Sequence, residues 1–533
     1  MMRFRTREPA LPPLLLLAVL VALLLLASAS ASALTPQEQR GQHIYLQGTS
    51  PSGGEITAVL GREGIDVSAS VMPCVKCHGH DGRGKPEGGV TPSNITWEAL
   101  TKPYGVTHPS GRTHPPYTER RLKRAITMGL DAAGQRLHVV MPRYQFAHQD
   151  LADLVAYLKQ LGKSQDPGLT ATTIRIGTIL PPSGSFADMR HAIKAVLTAY
   201  FDQINRQGGI YNRRVELRFA ETPEAPDARV RAARAFLEEA QVFALTGSFM
   251  ADGVAELTTL IQAQQVPLVG VFTLYPQVSF PLNPYVFYLY AGLAEQGRAL
   301  AAFAAAKYAP HRPRAAIVHP DEHHARAAAE AIAMQCQELG WKAVERISVP
   351  HGQFNVTHLV RQLHDTQTEM VFWLGPSTAT MAFFQEADQH DWTPMVLLPS
   401  ALAGRESFRV PERFHRRLLV SFPTLPSDHT PRGMEEYHQL AASQQLPPRH
   451  LATQFTTLAS AKILVEGLKR TGREVSRQKL IEALEGIYEF YTGLTPAMTY
   501  GPNRRIGAQG AYIVTLDLKT KRFVPVSSWI EPD

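Results

Sequence analysis

Two cysteines and a histidine stand within five residues, Cys74-Val75-Lys76-Cys77-His78. On a helical turn, positions i, i+3 and i+4 share one face, so both thiols and the imidazole project the same way. That triangle is the one by which a chain holds a haem c. The two sulfurs bond covalently to the porphyrin vinyl groups, and the adjacent imidazole ligates the iron. No other run in the sequence restricts its surroundings as strongly, because the fold around it must enclose a flat macrocycle. Two other chemistries use a Cys-x-x-Cys pair. Structural zinc takes four protein ligands, commonly with a second cysteine pair; the remaining cysteine is Cys336, far along the chain, and His80 is the nearby extra ligand. A thiol redox pair stands beside a βαβ pattern, and none surrounds residue 74.

The start of the chain reads as an export signal. Arg3, Arg5 and Arg7 are basic, Leu14 to Leu26 is an apolar run, and Ala31-Ser32-Ala33 is a small-x-small cleavage site. The run is shorter than the roughly 20 residues of a bilayer span. Residues 1–33 are therefore expected to be a signal peptide with Leu34 as the mature N-terminus, an uncleaved membrane anchor being the alternative. The expected location is the periplasm. With Cys74 and Cys77 committed to haem, the third cysteine leaves no disulfide within the chain. Cys336 lies in helix-forming sequence and is expected to be a buried, inert thiol. The formal charge is +7, or +5 without the leader, with 19% charged and 44% apolar residues. That balance fits globular domains and suggests no nucleic-acid partner.

Residues 35–163 read as a small all-α haem domain. Pro36 to Leu46 is a short helix, and Gly79 to Gly84 is a turn-rich loop directly after the motif. Leu151, Leu154, Val155, Leu158 and Leu161 recur at helical spacing, with Asp150 and Asp153 in the first turn. A second axial ligand is needed, and methionine or histidine supplies it. Met141, in the proline-marked loop Val140-Met141-Pro142, is the best candidate. Met128, Met72, His108, His114, His138 and His148 are its rivals, each expected in a loop or at the surface.

With these residues in view, the segment resembles a class I cytochrome c. The resemblance implies that Cys74 and Cys77 carry one haem c, His78 is the proximal and Met141 the distal iron ligand. One departure is the long stretch from Gly48 to Pro73, read as a loop excursion or small hairpin.

Residues 164–172 are polar, carry Gly and Pro, and read as a linker before a region of different character, 173–533. Ile174 to Leu180 is a strand, Met189 to Arg206 a helix closed by Gly208-Gly209, and Arg214 to Ala220 a second strand. Strands and helices keep alternating to about Pro399, the pattern of doubly wound α/β lobes. Ile174–Leu180 with Pro182-Ser183-Gly184, Ile204–Ile210, Val266–Val269, Glu295–Leu300 and Gly501–Gly507 resemble type I periplasmic solute-binding proteins of the branched-chain amino acid group. The resemblance implies two lobes joined by crossover strands and closing on a small ligand.

The ligand positions of that group match poorly. Alanine, Ala251, stands where a ligand-binding serine belongs; Ser248, Thr273 and His324 are the candidate contacts instead. Phe249, Phe272 and Tyr275 suggest an aromatic-lined cleft. No nucleophile–base pair or paired carboxylates stand out, and a distal methionine closes the iron to substrates, so enzymatic turnover is not expected. The expected function is that of a periplasmic electron carrier. Its fused module would couple small-molecule binding or sensing to a redox chain, with a dehydrogenase or another cytochrome as partner. The alternative is a solute-delivery component for an ABC permease, with the haem domain as accessory.

Overall fold

Thr35 opens the first helix, Pro36–Gln47, through a capping box: its hydroxyl accepts from the Glu38 amide while the Glu38 carboxylate accepts from the Thr35 amide. Gly48, in the left-handed region at φ 68°, closes it. In this computed structural model the residues described are 34–532, apart from 85–88, 109–110, 163–165, 185, 251–253, 309–312, 342–343 and 351–353. The leader read over 1–33, and Ala251, lie outside them. The chain divides into two compact units, Met1–Gln165 and Asp166–Asp533.

In the first unit, helix Pro36–Gln47 packs on helix His148–Leu158. They approach most closely at Gly41, where an added Cβ would lie 2.0 Å from the Asp153 carbonyl oxygen. Arg40 reaches across the same interface and holds Asp153 through both carboxylate oxygens, at 2.6 and 3.2 Å. Between these two helices along the chain come the short helix Cys74–His78 and the helix Glu119–Met128. The excursion before the motif is a hairpin. Strand β1 (Thr57–Leu60) pairs antiparallel with β2 (Ile65–Ser68). A distant third strand, Arg143–Gln145, joins on the other side of β1. The unit is thus a helical domain carrying a small sheet, with a core of Ile44, Tyr45, Leu122, Leu154, Leu158 and their neighbours.

The second unit starts at Asp166, so the polar stretch read as a linker is only partly connector. Leu169 is buried in the first lobe's core, and the Asp166 carboxylate accepts from the Arg477 amide at 2.6 Å. The first lobe is a six-stranded parallel sheet. Its order is Ile506–Ala508, Val286–Tyr290, Leu268–Val269, Ala244–Thr246, Thr173–Ile179, Arg214–Ala220. Asn205 fixes the turn before the last of these: its amide accepts from Val215 N at 2.8 Å and donates to Val215 O at 2.9 Å.

The second lobe is a seven-stranded sheet in the order Val344–Val349, Ala315–Pro320, Met370–Trp373, Met395–Pro399, Leu418–Phe422, Tyr512–Asp517, Arg522–Pro525. The first five strands are parallel and the last two antiparallel. Its helices Leu293–Tyr308 and His323–Glu338 meet at Gly297, where a Cβ would stand 2.2 Å from Ile332 Cδ1. Cys336 is fully buried there, its thiol pushed up to about 12 by burial. After the second lobe's fifth strand the chain returns to the first lobe through Leu451–Arg470, which packs on helix Ala187–Arg206.

Candidate haem site and ligand cleft

Pro73 precedes the motif in extended conformation, and Cys74–His78 forms a single helical turn ended by Gly79 at φ 72°. The glycines that follow shape the loop. Gly84 N donates to His78 O at 2.9 Å, and Gly82, at φ 74°, leaves room for Leu161. Tyr45, fully buried, donates its hydroxyl to Gly79 O at 2.5 Å and so ties the loop to the first helix. Tyr144 donates to Met72 O at 2.6 Å, tying the residues before Cys74 to the strand after Met141.

His78 is 6% exposed. Its Nδ1 lies 3.0 Å from Ser93 O, which can only accept, so Nδ1 carries the proton and Nε2 keeps a lone pair. This is the tautomer and orientation an iron ligand requires. Burial lowers the proton affinity of the ring, against the opposing pull of Ser93, and keeps the imidazole neutral. Burial also pushes the Cys74 thiol up to about 12. Cys74, Val75 and Met141 pack against one core cluster. Met141 sits in a turn whose amide donates to His138 O at 2.9 Å.

Of the rivals to Met141, Met128, His138 and His148 are exposed. Met72 is half-buried, its carbonyl engaged by Tyr144. Among the described residues no group of three or more His, Cys, Asp or Glu side chains stands together as a metal cluster would require. The residues present fit a haem. Two thiols and an imidazole share one turn, Ser93 O engages the Nδ1–H of that imidazole, and a thioether packs against the same core.

Sequence reasoning missed the polar support of this domain. Asp131 is fully buried, paired with Arg112 Nη1 at 2.6 Å, and accepts from the amides of Ala133 and Gln135 at 2.9 Å each. Burial raises its carboxyl, but Arg112 and the two amides prevail and hold it below the usual range. The signal was present in Asp131-Ala132-Ala133-Gly134, an Asp-initiated turn. His114 is also buried, edge-on to Tyr117 and 5.1 Å from His108 between ring centroids. His108 is half-buried in a loop, whereas His114, expected in a loop or at the surface, is buried in the short strand Thr113–His114.

In the second unit, ligands of parallel sheets bind beyond the carboxyl ends of strands. Three such ends are stitched together in the first lobe: Phe249 N donates to Ile179 O, Phe272 N to Ser248 O and Met250 N to Phe272 O, at 2.8 to 3.0 Å. Ser248 is fully buried, and its hydroxyl accepts from Ile179 N at 3.1 Å. Thr273 is half-buried and its hydroxyl accepts from Tyr275 N at 3.1 Å. Phe186 lies against Phe249 at 5.1 Å. His324, at the start of a second-lobe helix, stacks on Tyr275 of the first lobe's loop with centroids 5.4 Å apart and planes at 28°. Burial, with Glu322 adding to it, raises the Tyr275 phenol. The structure therefore brings Tyr275 and His324 together, and it uses the acceptor side of the Ser248 and Thr273 hydroxyls within the chain.

A family model described as periplasmic binding protein matches residues 173–522, and a cytochrome c model matches 68–162. No curated protein matches the chain. Solved structures share the fold of the second unit. A fatty acid ABC transporter substrate-binding protein from Thermomonospora curvata is 15% identical with TM-score 0.56, covering 69% of this chain and 94% of its own. A branched-chain amino acid ABC transporter protein from Thermus thermophilus with bound valine is 17% identical with TM-score 0.55, covering 68% and 96%. A leucine-binding protein from Thermotoga maritima is 16% identical with TM-score 0.54, covering 68% and 99%.

Proposed function

Because this chain belongs to the periplasmic binding protein family and carries a cytochrome c domain before its binding domain, we propose that it is a periplasmic electron carrier whose haem reports on, or is tuned by, a small molecule in the two-lobed cleft. The observation that carries the reading is the pairing on one chain of the Cys74–His78 turn, with His78 Nε2 available, and a two-lobed α/β binding domain. Covalently held haem supplies one-electron uptake and release at iron. Cys74 and Cys77 would anchor it, and His78 and Met141 would be the residues that ligate its iron. Both families are typically non-enzymatic and periplasmic. Among the described residues no helix is long and apolar enough to cross a membrane.

The cleft is read as a site for an apolar or aromatic small molecule. Ser248 is sealed and engaged by Ile179, while the aromatic rings near the strand ends stay accessible, Phe186 exposed and Phe272, Tyr275 and His324 half-buried. Thr273 and His324 remain the proposed polar contacts, whereas Ser248, expected as a third, is fully buried and closed to a ligand. A thermal-shift screen of the holoprotein with valine, a fatty acid and an aromatic alcohol identifies a ligand, since binding stabilises the native state. The reduction potential and the rate of electron exchange with a one-electron mediator are then measured with and without it. The proposal predicts that one of them changes; if neither does, the coupling is wrong.

A second reading, delivery of solute to an ABC permease, is favoured by the substrate-binding proteins that share the fold. Uptake by cells carrying His78→Ala separates the two. Full uptake without haem supports delivery, whereas loss of a respiratory phenotype supports the electron carrier.

A further inference from the structure

The two lobes of the second unit meet through a pair of rings. Tyr275 lies in the first lobe's loop between strands Leu268–Val269 and Val286–Tyr290. It stacks on His324, at the start of the second-lobe helix His323–Glu338, with centroids 5.4 Å apart and planes at 28°. Tyr275 also packs against the second lobe's core, the cluster that includes Leu293 and Ile332. Stacked rings at this spacing attract beyond the area they bury. The contact runs from chain to chain, so it draws the lobes together by itself.

The loop that carries Tyr275 is fastened. Tyr275 N donates to the Thr273 hydroxyl at 3.1 Å. Gln277 holds the following turn twice: its amide donates to the Tyr288 hydroxyl and its Nε2 to Tyr275 O, each at 3.1 Å. Residues 291–293 are the chain's first passage between the lobes, from strand Val286–Tyr290 into helix Leu293–Tyr308. The loop is tied to that passage, because Leu293 N donates to Leu274 O at 2.9 Å. Only a glycine fits at the centre of the passage. A Cβ on Gly292 would lie 2.2 Å from Pro276 Cδ and 2.7 Å from Leu274 O. From the second lobe's side, Glu295 Oε2 accepts from Gly292 N at 3.0 Å and Gln296 Nε2 donates to Ala291 O at 2.8 Å. The Tyr275 ring is thus mounted on the crossing between the lobes.

We propose that the loop 273–277 is a latch: it holds the lobes closed through the stack of Tyr275 on His324, and Leu274 and Pro276 transmit motion at the Gly292 crossing into the cleft. The inference rests on the two-lobed fold and is independent of the haem. Opening the cleft parts the rings, and closing restores them. The stack takes the face of the His324 imidazole and leaves the nitrogens at the ring edge for a ligand, so a ligand can hold His324 while the latch is shut. A pair of this kind shifts an opening equilibrium by roughly two- to tenfold.

The test places spin labels at Ala187→Cys and Thr378→Cys in the full-length holoprotein. Both positions are exposed, in the first turns of helices Ala187–Arg206 and Ser377–Gln389, one on each lobe. Cys336 is fully buried and haem takes Cys74 and Cys77, so only the two new thiols react. Pulsed dipolar spectroscopy then gives the distance distribution between the labels. His324→Ala and Tyr275→Ala are each expected to raise the ratio of long-distance to short-distance population by roughly two- to tenfold. His324→Phe keeps a stacking ring and is expected to leave the ratio at the native value. Gly292→Ala alters neither ring, yet it displaces the loop and is expected to raise the ratio as well. A native distribution in His324→Ala, or His324→Phe opening as far as His324→Ala, overturns the proposal. Should the Tyr275 or Gly292 variant fail to fold, the two His324 variants decide the matter, since that side chain is only half-buried. More than two labels by intact mass would overturn the haem reading instead, and the comparison is then made on a Cys74→Ser, Cys77→Ser background.

Discussion

Replacing Gly41 by alanine places a methyl group where the two terminal helices of the haem domain touch. The new Cβ would lie 2.0 Å from the Asp153 carbonyl oxygen, 2.6 Å from its carbon and 2.8 Å from Tyr157 Cβ. Non-bonded contacts are optimal at about 3.5–4.0 Å, so the helices must separate by on the order of 1 Å. The obstructing atoms are backbone, and no side-chain rotation relieves them. Overpacking of this kind costs about 1–3 kcal/mol, occasionally more, and this clash stands at the upper end. Alanine returns roughly 1 kcal/mol of helix propensity. The net loss is therefore about 2 kcal/mol, a fall of about 8 °C in Tm for a domain of this size.

The separation would also disturb Tyr157, whose ring packs on Tyr45 at 5.5 Å, and through Tyr45 the hydrogen bond to Gly79 beside His78. The assay is a thermal melt of the holoprotein followed at the haem absorption band, which reports this domain alone. Gly54→Ala is the control, since its Cβ would meet nothing closer than 3.7 Å and its backbone is outside the left-handed region. If Gly41→Ala melts with the native protein and the control, the helices do not cross at Gly41 as described.

Further outcomes test other parts of the structure. Arg477 is buried and donates to the carbonyls of Phe243, Gln264 and Val242; Arg477→Met should destabilise the first lobe by about 3 kcal/mol, read by denaturant unfolding under far-UV circular dichroism. Tyr45→Phe leaves Gly79 O without its donor and should cost about 1–2 kcal/mol in the same haem-band melt, leaving the haem attached. Asp153 is raised by burial but lowered further by Arg40 and Gln149, so its carboxyl sits below the ordinary 3.8. A depressed carboxyl contributes stability above its unfolded value and loses it as pH falls through the folded one. The haem domain should therefore weaken steadily below about pH 4, and Asp153→Asn should be less stable at neutral pH with a shallower acid dependence.

Local signals made much of this molecule legible. The Cys74–His78 turn, the Thr35-capped helix and the strand–helix–strand run from Ile174 to Ala220 are specified by residues within a few positions of one another. What escaped depends on partners far along the chain. Strand Arg143–Gln145 completes the hairpin sheet across more than eighty residues, and nothing near it signals a strand. Asp153 reads as a helix-dipole residue, yet it is the buried partner of Arg40. The sequence around Gly501–Gly507 matched a family pattern without revealing why. Arg505 is buried there, 4.6 Å over the Phe287 ring and paired with Glu485 at 2.6 Å. In the cleft, the acceptor role that ties Ser248 to Ile179 arises only when two sheet ends converge.

A porphyrin bonded through sulfur to Cys74 and Cys77 is the premise of electron carriage by this chain. Intact-mass analysis of the purified protein after extraction with acidified organic solvent decides it. The account predicts a pigmented chain heavier by one haem, with the leader removed, and loss of that added mass when Cys74 and Cys77 are both replaced by alanine. A protein of unmodified mass whose colour passes into the solvent would contradict it.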